Sequence, residues 1–349
     1  MNLLRWAWTL LLLSLLVPLL LIGLTGLLGA VLPDLDAINH FRPWWALAGL
    51  AGLLGVFLAR CGWRRPLGIL ALVVLLLQLP FTLPTWLRGL DQAQAGQLPG
   101  QDLVLVTANI YYGSREVTGT LAYLKRVKPD LVFLQEVSPR SLASLHEALA
   151  DELPHAVHCV DRRYCNLAIL SRFPLSQAAA AYLGWRAETT PVVPLAGWDL
   201  AETALPDRRK AAAGLTAEVA LDRGQRLRLF NVHLSWPLPA AIQRRQFRWV
   251  AERLADFPPG PRLLAGDFNA TPWSFGLAGF ESDLPLTRIT QGNFSWPAGR
   301  RLPFPVVPID QIYAGPAFQV LSVERGPEVG SDHYPILARL RLAPAGSAE

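Results

Sequence analysis

The apolar positions of this chain fall into two regimes. Up to about residue 90 they form long uncharged runs, and from about Gln92 onward short apolar runs alternate with charged and turn-forming residues, as in a water-facing domain. Three runs in the first regime, Trp8 to Gly29, Trp44 to Ala59 and Leu67 to Trp86, come close to the roughly 20 residues that a bilayer-spanning helix needs. The middle one is the shortest. Arg5 before a leucine-rich run also fits a cleaved secretory signal, but the run is long for such a signal and two more follow it. Residues 1–91 are therefore read as a membrane anchor and "QAQAGQLPGQ" (Gln92 to Gln101) as a polar linker. Residues 102–343 are read as one folded domain and 344–349 as a tail.

Inside the domain the apolar period switches between strand and helix values. "LVLVTANI" and "DLVFLQEV" predict strands, with a helix over "EVTGTLAYLKRV" between them. A second helix is expected at "SPRSLASLHEAL", where Ser138 is the N-cap, Pro139 takes the first position, and Leu142, Leu145 and Leu149 share a face. More strands are expected at "AVHCV", "LAILSR", "GLTAEVAL", "LRLFNVHL", "RLLAGDFN", "IDQIYA", "FQVLSVE" and "HYPILARLRL", and a helix at "PAAIQRRQFRWVAERLADF". That many strands with so few helices exceeds one doubly wound sheet. The expected fold is α/β: a four-layer sandwich of two packed mixed β-sheets flanked by helices, preceded by about three transmembrane helices.

Charge adds an orientation. Lys and Arg are retained on the cytoplasmic side of a span; Arg5 precedes the first run and "RCGWRR" separates the second from the third. The loop between the first two runs, "PDLDAINHFRP", is acidic apart from Arg42 and reads as external. Three crossings then put the domain outside the cytoplasm, at the periplasmic or extracellular face of a bacterial inner membrane. The net charge of +5 is spread along the chain and points to no particular partner. "DRRK" (Asp207 to Lys210) and "QRRQFR" (Gln243 to Arg248) either line a site for an anion or form a solvated face. Of the three cysteines, Cys159 and Cys165 are either bridged across a hairpin connection or free. Zinc is disfavoured, because no second Cys/His pair with ligand spacing is near them.

Polar groups recur where strands end. Asn109 closes "VTANIYYG", Glu136 follows "VFLQ", His233 lies in "FNVHL", Asp267 and Asn269 in "LLAGDFNATP", Asp310 in "PIDQIYA", and Asp332 and His333 in "GSDHYP". Each alone is commonly a turn former, a cap or a satisfied histidine. In this order they resemble the endonuclease/exonuclease/phosphatase superfamily over about Leu103 to Leu342, most specifically in "GDFNATP" and "SDHYPI", with "LQEV" and "NVHL" at suitable intervals. The apolar segment ahead of the domain looks like a membrane-anchored bacterial branch.

The resemblance implies a phosphoesterase that uses Mg²⁺, with Mn²⁺ as a substitute. A phosphodiester repels nucleophiles, so its hydrolysis needs a cation on the phosphate and a base for an in-line water. Glu136 suits a hard cation, with Asn109 and Asp332 near it. In an extended segment residues i and i+2 share a side, so Asp267 and Asn269 are expected in one cleft with Phe268 packed away. Asp267 then takes the water's proton and Asn269 holds a phosphate oxygen. By the same resemblance Asp310 holds His333, and His233 binds phosphate or leaving group; His333 is the rival base. One departure stands out: "NLAILSR" puts Asn166 and Leu167 where many members have Gly and a phosphate-touching Asn. The substrate class stays open among lipid headgroup, nucleic acid and nucleotide or monoester. No basic, aromatic-studded insertion favours duplex DNA, and no protein partner is expected beyond the bilayer itself. A catalytically silent ligand-binding or sensor module on the same fold is the rival reading.

Overall fold

The structure is a computed structural model that describes residues 3–58, 63–91, 99–114, 116–159, 165–183, 193–194, 212–221, 224–299, 302 and 304–344. "DRRK" and most of the linker lie outside these residues. Helices α1 (Leu3–Leu28), α2 (Arg42–Leu58) and α3 (Arg64–Asp91) pack on one another, and a 3-10 helix, Pro33–Phe41, joins the first two. Three segments, Leu3–Leu28, Pro33–Leu58 and Arg64–Leu87, are long and apolar enough to cross a membrane. They overlap the three runs expected from sequence. Glycines let them approach closely: a Cβ on Gly49 or Gly52 would press on Val74 or Leu16 of a neighbouring helix.

The domain then runs β1 (Gln101–Asn109), α4 (Thr118–Val127), β2 (Leu131–Gln135), α5 (Pro139–Leu149), β3 (His155–His158), β4 (Ala168–Ser171), β5 (Leu175–Leu183) and β6 (Val193–Pro194). It continues through β7 (Ala212–Ala220), β8 (Arg226–His233), α6 (Ala240–Ala255), β9 (Arg262–Asp267), α7 (Phe275–Ser282), β10 (Thr287–Arg288), β11 (Asp310–Ala314), β12 (Phe318–Arg325) and β13 (Ile336–Leu342). Six strands form one sheet in the order β12-β13-β1-β2-β4-β3, and seven form the other, β10-β11-β9-β8-β7-β5-β6. Leu105, Phe133, Leu215, Leu229 and Leu340 meet between the sheets. Helices α4 and α5 cover the outer face of the first sheet through Leu124, Leu142 and Leu145, and α6 and α7 cover the second through Phe247, Val250 and Phe280. This is the expected four-layer α/β sandwich. The Ser138 cap forms as its sequence indicates, the hydroxyl accepting from the Ser141 N–H.

Three elements differ from the sequence reading. Gln101 is the first residue of β1, paired with Leu342, rather than the end of the linker. The alanine-rich β5 carries a bulge between Ser176 and Ala179 with Gln177 at φ +48°, so it lacks the clean alternation that marks a strand. Helix α7, "FGLAGFES", is short and contains two glycines, and its start is fixed by the Ser274 cap.

Candidate active site

Strand direction brings the strand-end residues to one place. β8 and β9 are parallel neighbours, so His233 and Asp267, their last residues, leave the second sheet side by side. β11 runs antiparallel to β9 and enters with Asp310 opposite Asp267. In the first sheet β1 and β2 are parallel, ending on Asn109 and just before Glu136, while β13 is antiparallel to β1 and is entered through Ser331, Asp332 and His333. The two sheets meet at this end: the Asn109 amide donates to Glu136 Oε1 (3.1 Å) and to Asp267 Oδ2 (3.0 Å). His233 Nε2 lies 3.6 Å from Asp267 Oδ2 and 3.9 Å from Glu136 Oε1. His333 Nδ1 donates to Asp310 Oδ2 at 2.8 Å, and its Nε2 lies 3.7 Å from Asp267 Oδ2. Asp267 is thus the hub. Asp332 is half-buried at the edge; its carbonyl accepts from the Ala298 N–H (2.6 Å), and its carboxylate acts on His333 through space.

The backbone at the site is held in uncommon conformations. Glu136 has φ +54° and Asn269 φ +47°, values that cost a non-glycine residue about 1–3 kcal/mol and persist where surroundings impose them. Gly266 sits at φ +145°, and a Cβ there would run into the Val232 carbonyl of β8. Only glycine lets the strand bearing Asp267 lie this close to the strand bearing His233.

The geometry corrects one expectation. β9 ends at Asp267, and the chain turns there: the Asn269 N–H donates to Asp267 Oδ1 (2.9 Å), an Asx turn, so the segment is not extended through residue 269. Asn269 still borders the site, because its amide donates to the Leu234 carbonyl just after β8 (2.9 Å). A carboxamide carries two donor hydrogens, and one remains. Phe268 is packed away as expected, fully buried against Phe280 and Tyr313. Asn166 lies beside Glu136, its carbonyl accepting from the Val137 N–H (3.0 Å). Cys159 and Cys165, whose state the sequence left open, form a disulfide. "QRRQFR" does not face the site as a block: Gln243 braces the Phe268 and Asn269 carbonyls from α6, and Arg244 donates to the carbonyl of Gly29, just after α1.

A polar column between the sheets was missed. Gln135 donates to Asn231 Oδ1 (2.7 Å) and Thr107 Oγ1 (3.1 Å), and Asn231 donates to the Leu134 and Ala168 carbonyls, joining both sheets just behind the site. Asn231 is two residues before His233, and Thr107 two before Asn109, so each shares its partner's strand face. That spacing was the available signal. Ser295 was also missed; its hydroxyl accepts from the Asp310 N–H (3.2 Å).

Electrostatics separates the titratable groups. Burial alone would lower His333, but Asp310 and Asp267 outweigh it and raise the imidazole from 6.5 to about 10. Burial raises the Asp267 carboxyl, only partly offset by His333. Burial would also raise Glu136, but His233, the Asn109 and Tyr112 donors and His333 hold it below its ordinary value. A basic, buried carboxylate therefore stands beside an imidazolium and an ionised glutamate.

A two-sheet sandwich with these groups gathered at one end is a phosphoesterase architecture. The chain belongs to the endonuclease/exonuclease/phosphatase family, whose model matches residues 106–333. No curated protein matches the chain. Similar solved structures include a member of that family from Bacteroides thetaiotaomicron, at 19% identity and a TM-score of 0.55, covering 70% of this chain and 100% of that one. Another is TDP2 from D. rerio in complex with a single-strand DNA product, at 18% identity and a TM-score of 0.55, covering 69% and 99%. A third is a mannosyl-6-phosphatase from B. thetaiotaomicron, at 20% identity and a TM-score of 0.52, covering 68% and 99%. At these identities the likeness is one of fold.

The donor set fits a divalent cation of the kind this family generally requires. Asp267, Asp310 and His333 have ligand atoms within 4.8 Å of one another. Asn109 reaches Asp267 from the other side and links it to Glu136. Asp310 Oδ1 is buried without a hydrogen-bond partner, and an uncompensated carboxylate oxygen is costly unless a cation or ligand meets it.

Proposed function

We propose that the protein is a membrane-anchored, Mg²⁺-dependent phosphodiester hydrolase. The observation that carries this reading is the convergence on Asp267 of Asn109, His233 and His333 from both sheets, with Glu136 joined to the cluster through Asn109 and His233. Hard oxygen donors suit Mg²⁺, so Glu136 and Asn109, with Asp332 at the edge, are assigned to the metal, and the imidazole of His333 is assigned to its hydrogen bond with Asp310. When bound, the cation would neutralise charge on the phosphate and favour attack on phosphorus.

The chain's own groups supply the rest. Asp267, made more basic by burial, takes a proton from the attacking water as the water oxygen joins phosphorus. His333, oriented by Asp310, donates a hydrogen bond to a non-bridging oxygen, and the second Asn269 hydrogen does the same from the opposite turn. His233 is half-exposed at the mouth and gives a proton to the departing ester oxygen as the phosphorus–oxygen bond breaks. The anchor reading is supported by the three apolar helices. An exterior position is supported by the basic residues flanking the spans and by the disulfide, a bond of oxidising compartments. The purified full-length chain is expected to hydrolyse members of a panel of soluble phosphodiesters and monoesters with Mg²⁺, and to stop when the metal is chelated. Turnover of no ester in the panel would leave a binding module instead.

A further inference from the structure

The catalytic end of the sandwich is also its membrane end. The loops that leave the sheets at the site are the ones tied to the apolar helices and their connecting 3-10 helix. After β9, the Thr271 N–H donates to His40 Nδ1 (3.2 Å), and the first amides of α7, Phe275 and Gly276, donate to the Asp36 carboxylate (2.9 and 2.8 Å). After β8, the Ala240 N–H opening α6 donates to Asp34 (2.8 Å). Before β11, the Trp44 indole donates to the Val306 carbonyl (2.7 Å) and stacks on Phe304, while Trp86 stacks on Phe294. Trp44 opens α2 and Trp86 lies near the end of α3, positions where indoles settle at the headgroup level of a bilayer.

Exposed apolar side chains follow the same division. Among the described residues of the domain, seven large hydrophobic side chains are exposed, and six of them, Tyr111, Tyr112, Trp236, Leu238, Leu302 and Phe304, lie on loops at the site end. Trp236 is 60% exposed, only three residues past His233. A cleft of about 280 Å³ joins the two regions: its walls are Trp44 from α2, Phe294, Phe304 and Pro305 from the loop ahead of β11, Arg325, and Tyr334, the residue after His333. A soluble substrate needs no such rim, and large exposed apolar patches on a domain mark surfaces that meet a membrane or partner.

We infer that the substrate is a phospholipid of the bilayer in which the protein is anchored, its phosphate raised into the site while its acyl chains stay among the rim and the cleft. This rests on the hydrolase reading and narrows it. The step is unchanged: the water oxygen joins phosphorus, one ester bond breaks, and the leaving alcohol takes the proton from His233. Docking by Asp36, His40 and Trp44 fixes the height of the site above the bilayer, so a lipid phosphate reaches it without being extracted.

The test uses the full-length chain reconstituted into vesicles of phosphatidylethanolamine, phosphatidylglycerol and cardiolipin, with products resolved by mass spectrometry. A parallel arm uses the water-soluble diester bis(p-nitrophenyl) phosphate. Metal-dependent turnover of vesicle lipid is expected. Leu302→Ser with Leu238→Ser is expected to lower it about tenfold while the soluble diester is hydrolysed at the wild-type rate, since only bilayer contact is weakened. Hydrolysis of the soluble diester with no change in any vesicle lipid would overturn the inference and leave the hydrolase reading standing. Absence of turnover in both arms would overturn both. An equal loss in both arms for the paired variant would also overturn the inference, because the two leucines would then serve the site itself rather than contact with the bilayer.

Discussion

At the scale of single residues, the account turns on Asp267 and His333, both raised within one buried neighbourhood, the carboxyl by burial and the imidazole by its carboxylate neighbours. His333 is raised from 6.5 to about 10 against the effect of its own burial, so its pairing stabilises the folded chain fully below pH 6.5. That contribution is lost as pH rises through about 10. In metal-free protein, thermal melting should therefore fall between neutral pH and pH 10 more steeply for wild type than for His333→Gln; parallel curves would remove the imidazolium from the account. Asn269→Ala is expected to raise KM for a soluble diester more than it lowers kcat, because the side chain is assigned to holding phosphate. A loss confined to kcat would argue against that role. The residue types here were legible because each borders an apolar strand run, at its end or at its start. The turn at Asn269 was not, since Asp and Asn serve equally in an extended end and in an Asx turn. Gln135, Thr107 and Asn231 were hidden for a related reason: amides and hydroxyls inside strands give no hint of the partner they meet across the sandwich.

At the scale of elements, the closest packing at the site is between β8 and β9. Gly266→Ala would force its new methyl against the Val232 carbonyl and require a rarely adopted φ. A loss of about 2–4 kcal/mol is expected from overpacking and backbone strain together. Urea unfolding of the detergent-solubilised chain would read this, and an unchanged midpoint would contradict the close approach. Strands with strong apolar runs and helices with a continuous apolar face were readable from sequence. β5 and α7 were not, because alanine and glycine give too little contrast between faces to set a period. The acidic connection Pro33–Phe41, which the sequence places outside the cytoplasm, also caps α6 and α7, a role that depends on elements more than 200 residues away.

At the scale of the whole molecule, three helices that each cross a bilayer would place the loop between the first two and the domain on the same side, and the contacts from Asp34, Asp36 and His40 to the domain agree with that. A topology reporter fused after Glu349 should be active only outside the cytoplasm; cytoplasmic activity would reverse the orientation argued from basic residues. The central claim is that the residues gathered on Asp267 perform metal-dependent hydrolysis. Its most direct test is the rate of bis(p-nitrophenyl) phosphate hydrolysis by the full-length chain with Mg²⁺, for wild type and for Asp267→Asn, a near-isosteric change that removes the base. The account predicts a fall in kcat of about 10²–10⁴-fold in a variant that still melts cooperatively. An Asp267→Asn variant that turns over the diester at the wild-type rate would contradict it.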